Sequence, residues 1–271
     1  MAGPLKGYRV LDMSRILAGP WAGQLLADLG ADVVKIERPG CGDDTRHWGP
    51  PYLKDQDGNE TEDAAYFFCA NRGKKSVTID ITRSEGQDII RQLALQSDVL
   101  IENYKVGGLA KYGLDYSALK KINPKLIYCS ITGFGQTGPY ANRPGYDFLI
   151  QGMGGLMSIT GEPDSPDNKT AGPVKVGVAV TDLFTGLYAA NAIQGALLER
   201  HQSGVGQYID LALLDVQAAV LANQASNYLI GNLVPERLGN AHPNIVPYQA
   251  FATADSHIII AVGNDQQFAR F

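Results

Sequence analysis

The stretch RVLDMSRILAGPWAGQLLADLGADVVKIE, residues 9–37, decides the fold class of this chain of 271 residues. Two apolar runs, at 9–13 and 32–37, flank the amphipathic segment WAGQLLADLG. Short runs rich in β-branched residues, separated by a helical segment, predict a βαβ unit in which both strands lie parallel in one sheet.

Three more runs of the same kind occur in the first half of the chain, DVLIE at 98–102, LIYCS at 126–130 and SVTIDI at 76–81. The sequence therefore predicts an α/β fold with a Rossmann-like, mostly parallel sheet and helices on both faces. Residues 39–63 are rich in Gly, Pro and Asp. They predict a long surface loop, and loops of that length are commonly functional.

The second half of the chain has a different pattern. FLIQGMGGLMSITG at 148–161 predicts a glycine-interrupted helix, and residues 182–201 predict a long helix. A strand at 207–213, a helix at 216–231 and a hairpin made of YQAFAT and HIIIAV are expected to follow.

These patterns suggest three parts of the chain. We expect a large domain over residues 1–203, a connecting strand and helix over 204–234, and the start of a smaller α+β domain over 235–271. Because the last residues read as the beginning of a helix, the chain is expected to be a fragment that lacks a C-terminal region.

Composition excludes several classes of function. The net charge of −5 argues against nucleic acid as the main partner, since phosphate binding needs a basic surface. The 4 histidines and 3 cysteines form no metal-binding motif and no CxxC pair, so we expect no metal and a reducing compartment. The start of the chain contains no secretory or transit presequence, and no apolar run is long enough to span a membrane. The expected location is the cytoplasm.

The turn after the first predicted strand, SRILAGPWAG at 14–23, is a candidate anion site. A glycine-containing turn that leads into a helix presents free N–H groups to a phosphate. The GxGxxG spacing of dinucleotide-binding folds is absent, because Pro20 follows the first glycine. An NAD-dependent oxidoreductase and a plain structural turn both remain open from these residues alone.

Basic residues follow several predicted strands. Arg38 comes after the second, and Lys105 and Lys111 come after the run at 98–102. Ligands of open α/β folds bind beyond the carboxyl ends of the strands, so these cations could converge on one phosphorylated cofactor. The alternative for each of them is ordinary surface charge.

Asp182 opens the predicted long helix. Aspartate is a favoured helix N-cap, which gives it a purely structural interpretation. In the functional interpretation, the positive helix terminus keeps the carboxylate ionised and nucleophilic. Gly152, Gly154 and Gly155 have a similar pair of interpretations, as N–H donors to an oxyanion or as sites of close helix packing.

These residues belong to segments that resemble the class III CoA transferases, the family of formyl-CoA transferase and carnitine CoA transferase. The segments run from Leu5 to the last residue, and include VLDMSRILAGP, ANRGKKSVTIDI, SDVLIENYKVGGLAKYGL, RPGYDF and VAVTDLFTGLYAANAIQGALLER. Other segments, such as CSITGFGQTGP and IVPYQAFAT, resemble the subgroup that uses succinyl-CoA and glutarate. The resemblance implies a class III CoA transferase fold with coenzyme A as cosubstrate.

The resemblance also implies roles for individual residues. Asp182 matches the family's nucleophilic aspartate. The positions that match the family's CoA contacts are Arg15, Leu17, Ala18, Arg38, Ile79, Asp80, Asn103, Tyr104, Lys105, Lys111, Gly145, Tyr146 and Asp147.

Three positions separate this chain from its relatives. Formyl-CoA transferases have Gln where this chain has Leu17, which argues against an oxalate-type substrate, and a basic CoA contact of the family falls on Thr82. The related α-methylacyl-CoA racemases use a His within a G-H-D segment, where this chain has Gly145, Tyr146 and Asp147. Tyrosine, with an ordinary pKa near ~10, is a poor base near neutral pH, so transfer is favoured over racemisation.

The expected activity is CoA transfer from an acyl-CoA, such as succinyl-CoA, to a small carboxylic acid through aspartyl anhydride and aspartyl-CoA intermediates. The family resemblance also implies an interlocked homodimer. A racemase of the same fold and a non-catalytic CoA-binding protein are the alternatives.

Overall fold

A computed structural model describes residues 3–165 and 172–271 of the chain. They form two compact units, Met1–Asp147 with Val180–Val216 and Phe148–Ala179 with Gln217–Phe271. The domain boundaries predicted after residues 203 and 234 stay a prediction.

The strands of the described residues are β1 (Arg9–Asp12), β2 (Asp32–Glu37), β3 (Tyr52–Lys54), β4 (Glu60–Ala64), β5 (Lys74–Thr78), β6 (Val99–Glu102), β7 (Ile127–Thr132), β8 (Tyr208–Ala212), β9 (Tyr248–Ala252) and β10 (His257–Ala261). The α-helices are α1 (Ala18–Asp28), α2 (Ala65–Cys69), α3 (Ser84–Leu95), α4 (Tyr116–Ile122), α5 (Asp147–Met153), α6 (Val180–Ser203), α7 (Leu213–Val220), α8 (Ala222–Gly231) and α9 (Asp265–Phe268).

The first unit is built on a parallel sheet of six strands in the order β5-β2-β1-β6-β7-β8. Every neighbouring pair in it is parallel, which confirms the predicted α/β fold. The chain moves outward from β1 to β2 and β5, and then returns to β6 on the other side of β1. Because crossovers are right-handed, this reversal places helices on both faces of the sheet and opens a crevice between the carboxyl ends of β1 and β6.

The apolar residues of the predicted strands form the core. Val10 and Leu11 of β1 and Leu100 of β6 are each no more than 1% exposed. On the two sides of the sheet, α1 packs against α6 and α3 packs against α4. The core therefore fixes the carboxyl ends of the strands, from which the site residues extend.

The third strand of the prediction is displaced. It was expected at 76–81, whereas β5 covers Lys74–Thr78. Its partner β2 ends at Glu37, opposite Thr78, so the ladder has no further neighbour to pair with. Ile79 still donates its N–H to Glu37 O at 2.9 Å, and the chain then turns at Asp80. Ile79 and Asp80 thus lie beyond the strand rather than on it.

The expected long loop at 39–63 contains structure that the prediction missed. A short 3-10 helix covers Asp44–His47, and β3 and β4 form an antiparallel hairpin. The strands of this hairpin are polar and mostly exposed, so they lack the apolar alternation that identifies a strand in sequence.

The second unit contains most of α5, the antiparallel pair β9 and β10, and the helices α8 and α9. The helix expected at 216–231 is broken into α7 and α8, because Ala222, the first residue of α8, adopts a φ of 44°. A Cβ at Gly154 would lie 2.4 Å from Gln217 Cγ, which supports the close-packing interpretation of that glycine. Among the described residues, no helix has both the length and the hydropathy needed to span a membrane.

Candidate functional site

A cleft of about 200 Å³ opens at the carboxyl ends of β1, β6 and β7 in the first unit, and we call it the central cleft. Nine of the predicted site residues line it, namely Arg15, Leu17, Ala18, Asn103, Tyr104, Lys105, Gly145, Tyr146 and Asp182. The turn after β1, the loop after β6 and the start of α6 thus meet at one place, although they are far apart in sequence.

The other predicted residues lie in a neighbouring cavity of about 360 Å³, the outer cavity, or behind the cleft. Arg38, Ile79, Asp80 and Lys111 line the outer cavity. Three residues, Arg15, Tyr104 and Lys105, line both cavities, so the two are continuous along the loop after β6. Asp147 is the only predicted residue in neither lining, and it contacts the start of α6.

Asp147, and not Asp182, caps the N-terminus of α6. Its Oδ1 accepts the N–H of Thr181 at 2.8 Å and the N–H of Asp182 at 3.3 Å. α6 begins two residues before Asp182, which places Asp182 within the first turn. The structural interpretation of Asp182 as the N-cap is therefore wrong. Within residues 3–165 and 172–271, the Asp182 carboxylate accepts no hydrogen bond, and it faces the central cleft.

The environment of Asp182 raises the pKa of its carboxyl to about 7. Burial among surrounding atoms is the main cause, and the negative charge of Asp147 adds to it. The pKa of Asp182 is thus raised although the residue lies in the first turn of α6, where the helix terminus was expected to favour the ionised form. The terminal N–H groups that would stabilise its negative charge are bound by Asp147 instead.

The turn between β1 and α1 is fixed to the loop after β6 by Asn103. Its Oδ1 accepts the N–H of Arg15 at 2.9 Å, and its Nδ2 donates to Arg15 O at 2.7 Å. The Arg15 guanidinium pairs with Asp44 at 3.1 Å and lies 5.8 Å from the centre of the Tyr104 ring. The amide of Asn103, predicted to contact CoA, is therefore engaged in holding the turn.

Two backbones approach closely at the rim of the central cleft. A Cβ at Gly145 would lie 2.2 Å from the Cα of Gly133. Both positions therefore require glycine, which brings the 141–146 segment against the end of β7. Beside them Tyr146 is 62% exposed.

Beneath the turn lie two buried ion pairs that the sequence analysis did not identify. Lys35 pairs with Asp43 at 2.8 Å, and Lys74 pairs with Asp12 at 2.8 Å, all four with side chains at most 2% exposed. Lys35 interrupts the apolar run of β2, and this was the one signal in the sequence. Its partner Asp43 lies in the Gly-rich segment after the strand, where nothing in the sequence marks it as buried.

Cations line both cavities. Arg38 and Lys111 reach the outer cavity, where Arg38 Nε donates to Cys41 Sγ at 2.7 Å. Arg143, which the sequence analysis did not select, lines the central cleft and lies over the Tyr140 ring at 4.7 Å. In the part of the chain that the structure describes, Arg143 has no carboxylate partner. The same part contains no cluster of three or more metal-binding side chains.

Comparison with known proteins identifies the family that has this six-stranded sheet and this carboxylate-bearing cleft. Residues 5–271 match the sequence model of CoA-transferase family III, and the chain belongs to that family.

Among its relatives, the succinate–glutarate CoA-transferase of Agrobacterium fabrum is 60% identical over 267 residues, which cover 98% of this chain and 65% of that protein. The succinyl-CoA:glutarate CoA-transferase of Mus musculus is 50% identical, over 98% of this chain and 58% of that protein. This chain therefore spans 58% to 65% of the length of these two relatives.

The fold is also similar to solved structures. A crystal structure of a CAIB/BAIF family protein from Brucella suis matches with a TM-score of 0.89 and 57% identity, over 100% of this chain and 69% of that chain. Rv3272 from M. tuberculosis matches with a TM-score of 0.82 and 33% identity, over 99% of this chain and 68% of that chain.

Proposed function

We propose that the complete protein is a CoA transferase that moves CoA from succinyl-CoA to glutarate or a similar dicarboxylic acid, with Asp182 as its nucleophile. The names of the two relatives support the substrates. The observation that carries the catalytic role is the Asp182 carboxylate, which faces the central cleft while Asp147 provides the helix cap.

The two connected cavities suit a long ligand with different ends. Arg38 and Lys111 in the outer cavity are suited to the phosphates of CoA. The residues shared by both cavities, Arg15, Tyr104 and Lys105, lie where the pantetheine arm would pass. This arrangement delivers the thioester to Asp182 in the central cleft.

The chemistry then proceeds by covalent catalysis. The Asp182 carboxylate attacks the succinyl carbonyl carbon, forms a C–O bond, and expels the CoA thiolate, which leaves a mixed anhydride. The thiolate attacks the aspartyl carbonyl, which gives an aspartyl-CoA thioester and free succinate. Glutarate attacks this thioester and releases the thiolate, which then takes the glutaryl group and restores Asp182.

The raised pKa of Asp182 suits this exchange. A pKa near 7 leaves about half of the carboxyl ionised at neutral pH and makes its carboxylate more basic than an ordinary aspartate. Since thiols of the cysteine type have a pKa of about 8.5, the nucleophile and the leaving group differ little in basicity. Neither the anhydride nor the thioester is then a deep trap, and the transfer is reversible.

Arg143 supports a dicarboxylic substrate. Its guanidinium lines the same cleft as Asp182 and is oriented by the Tyr140 ring. A free guanidinium is a strong partner for a carboxylate, so the acyl carbon can lie at Asp182 while the distal carboxylate lies at Arg143.

The proposal includes an interlocked homodimer, which the family resemblance implies, and a cytoplasmic location, which was expected from the composition and the start of the chain. The cysteines of the described residues, Cys41, Cys69 and Cys129, are free thiols, as suits a reducing compartment. Size-exclusion chromatography of the complete protein with light scattering tests the dimer.

The function is tested by incubating the complete protein with succinyl-CoA and a panel of dicarboxylates, with acyl-CoA products identified by mass. We expect glutaryl-CoA, and we expect Asp182→Asn to lower the rate by at least about 1,000-fold, as loss of a nucleophile does. Asp88→Asn, on the exposed face of α3, is the matched control and keeps the rate. Transfer that survives in Asp182→Asn contradicts the proposal, and binding of CoA without any transfer favours a non-catalytic CoA-binding protein.

A further inference from the structure

The turn after β1 contains a residue in a strained conformation. Ile16 has a φ of 71°, in the left-handed region that β-branched residues avoid. It lies between Arg15 and Leu17, and all three line the central cleft. Such a conformation persists only where the surrounding structure imposes it.

The buried Lys35–Asp43 pair supplies that constraint. Both carboxylate oxygens of Asp43 accept the N–H of Ile16, at 3.2 and 3.3 Å. Lys35 Nζ donates to Ser14 O at 2.9 Å, two residues earlier in the same turn. The pair therefore holds the backbone on both sides of Arg15, whose own N–H and carbonyl group are held by Asn103.

Stability alone is a poor reason for this pair. Its side chains are 1% and 0% exposed, and a buried ion pair is often no more stabilising than apolar residues of similar size. Asp43 belongs to the lining of the outer cavity, but both side chains of the pair are buried, so we expect their effect on the reaction to act through the turn.

We propose that the Lys35–Asp43 ion pair is a positioning device that holds the Arg15–Leu17 turn in the strained conformation needed to bind acyl-CoA at Asp182. The proposal rests on the proposed function for the identity of the ligand. Its geometric part, the control of the turn by Asp43, stands on the contacts of Ile16.

The geometry allows a selective test with Asp43→Asn. Asp43 Oδ1 also accepts the N–H of Thr45 at 3.0 Å and its hydroxyl at 2.8 Å, which an asparagine Oδ1 preserves. The Oδ2 that faces Lys35 becomes an amide donor, which opposes the ammonium group of Lys35. The N–H of Ile16 loses its 3.2 Å contact with Oδ2 and keeps only the 3.3 Å contact with Oδ1. The substitution thus disturbs the turn and leaves the 3-10 helix capped.

The experiment is a double-mutant cycle that combines Asp43→Asn with Ile16→Gly in the complete protein. Glycine adopts the left-handed conformation without strain and needs no external constraint. We expect Asp43→Asn to lower kcat/KM for succinyl-CoA by on the order of 10-fold to 100-fold, as small misplacements of binding groups do. In the Ile16→Gly background the same substitution costs less than about threefold, and the Kd for coenzyme A follows the same pattern. Equal losses in both backgrounds, or no loss from Asp43→Asn, overturn the proposal.

Two further variants separate positioning from folding. Lys35→Met, which removes the other partner, is expected to raise KM for succinyl-CoA as Asp43→Asn does. Arg200→Met removes an ion pair of the same 2.8 Å length, with Asp98, which directly precedes β6 at the amino ends of the strands. Arg200→Met should lower the melting temperature and keep kcat/KM. If it lowers kcat/KM as much as Asp43→Asn does, the Lys35–Asp43 pair acts only through stability. The two proposals can fail separately. If the Kd for coenzyme A shows the coupling between Asp43 and Ile16 while Asp182→Asn still transfers CoA, the proposed function is contradicted and the positioning role of Asp43 is not.

Discussion

Two glutamates end the two strands on either side of β1, and their environments are opposite. Glu37 ends β2, and Glu102 ends β6, with exposures of 4% and 6%. Burial alone would raise the pKa of both. Around Glu37, two hydrogen bonds from Arg46 at 2.7 Å and one from Ser76 at 2.6 Å outweigh burial and lower the pKa to about 2. Among residues 3–165 and 172–271, no Lys or Arg pairs with Glu102, and burial raises its pKa to about 7.

The same contrast extends along the edge of the sheet. In the paired region, which contains Asp12, Glu37 and Asp43, each carboxylate has its own Lys or Arg. Burial would raise the pKa of Asp12, but Lys74 and Lys35 outweigh it and lower that pKa. In the unpaired region, which contains Glu102 and Asp182, burial raises both pKa values to about 7.

The difference separates structural charges from chemically active ones. A buried carboxylate with a matched cation can hold backbone in place, as Asp43 does at Ile16. A buried carboxylate without a cation is costly when ionised, so it exchanges protons near neutral pH. Asp182 belongs to the second kind and faces the cleft, which is consistent with the role of nucleophile proposed for it.

The largest effect is expected when a paired carboxylate loses its cation. Arg46→Met leaves Glu37 buried and uncompensated, so the free energy of unfolding at pH 7 should fall by about 3–5 kcal/mol. Denaturant unfolding at pH 7 and pH 4 measures this loss. It should be smaller at pH 4, where Glu37 can take up a proton.

Arg72→Met is the matched control for this substitution. Arg72 pairs with Asp28, but its side chain is 64% exposed, so the loss should stay below about 1 kcal/mol. If Arg46→Met and Arg72→Met lose equal free energies of unfolding, the buried ion pair of Glu37 contributes no more to stability than an exposed one.

The next effect is the pH dependence of the reaction. Asp182 must be ionised to attack, so kcat/KM should rise with pH, inflect near 7, and fall about 10-fold for each pH unit below that. Asp147→Asn keeps an oxygen that can cap α6 but removes the charge that raises the pKa of Asp182. The inflection should therefore move to lower pH in Asp147→Asn, and an unchanged profile contradicts the role of Asp147.

A smaller effect concerns stability in the unpaired region. The pKa of Glu102 in the folded protein, about 7, lies above its ordinary value of 4.5. The folded state therefore binds more protons than the unfolded state between these values, and stability falls as pH rises through this window. Glu102→Gln removes this dependence, so the variant should gain about 3 kcal/mol relative to the wild type between pH 4 and pH 8. If the free energies of unfolding of Glu102→Gln and the wild type differ by the same amount at pH 4 and pH 8, Glu102 does not titrate in this range.

The smallest effect is expected from a cation of the unpaired region. Arg143→Gln should raise KM for glutarate by about 10-fold, because one charge-assisted contact to the distal carboxylate is lost. KM for a monocarboxylic acceptor should change little. Lys121→Gln, an exposed residue of α4, removes the same charge and serves as control. A parallel rise for both acceptors means that Arg143 does not bind the distal carboxylate.

The sequence predicted more of the scaffold than of the charges around it. The βαβ pattern predicted the parallel sheet because apolar periodicity is a local property of the sequence. The predicted bounds of a strand were wrong by a few residues where its neighbouring strand ends, as at Thr78. The site was harder, because its polar contacts are non-local. Asp147 caps a helix that begins 33 residues later in the chain, and Lys35 pairs with a carboxylate in a loop.

Resemblance to a family, rather than local pattern, selected Asp182. Local signals favour a cap for an aspartate at a helix start, and only the structure shows that Asp147 occupies that role. Arg143 begins the RPGYDF segment of the resemblance, but nothing local marked it as a site residue, since a single arginine in a Pro- and Gly-rich segment is typical of a solvated surface.

The fate of the oxygen atoms of Asp182 tests the central claim most directly. In the proposed sequence, glutarate labelled with heavy oxygen in its carboxylates leaves one labelled oxygen on Asp182 in each turnover. The complete protein is incubated with labelled glutarate and succinyl-CoA and digested, and the peptide that contains Asp182 is analysed by mass. The account predicts heavy oxygen in Asp182, and none in Asp147 or when succinyl-CoA is omitted. Glutaryl-CoA formed without label in Asp182 would contradict it, because the acyl group would then pass directly between the two acids.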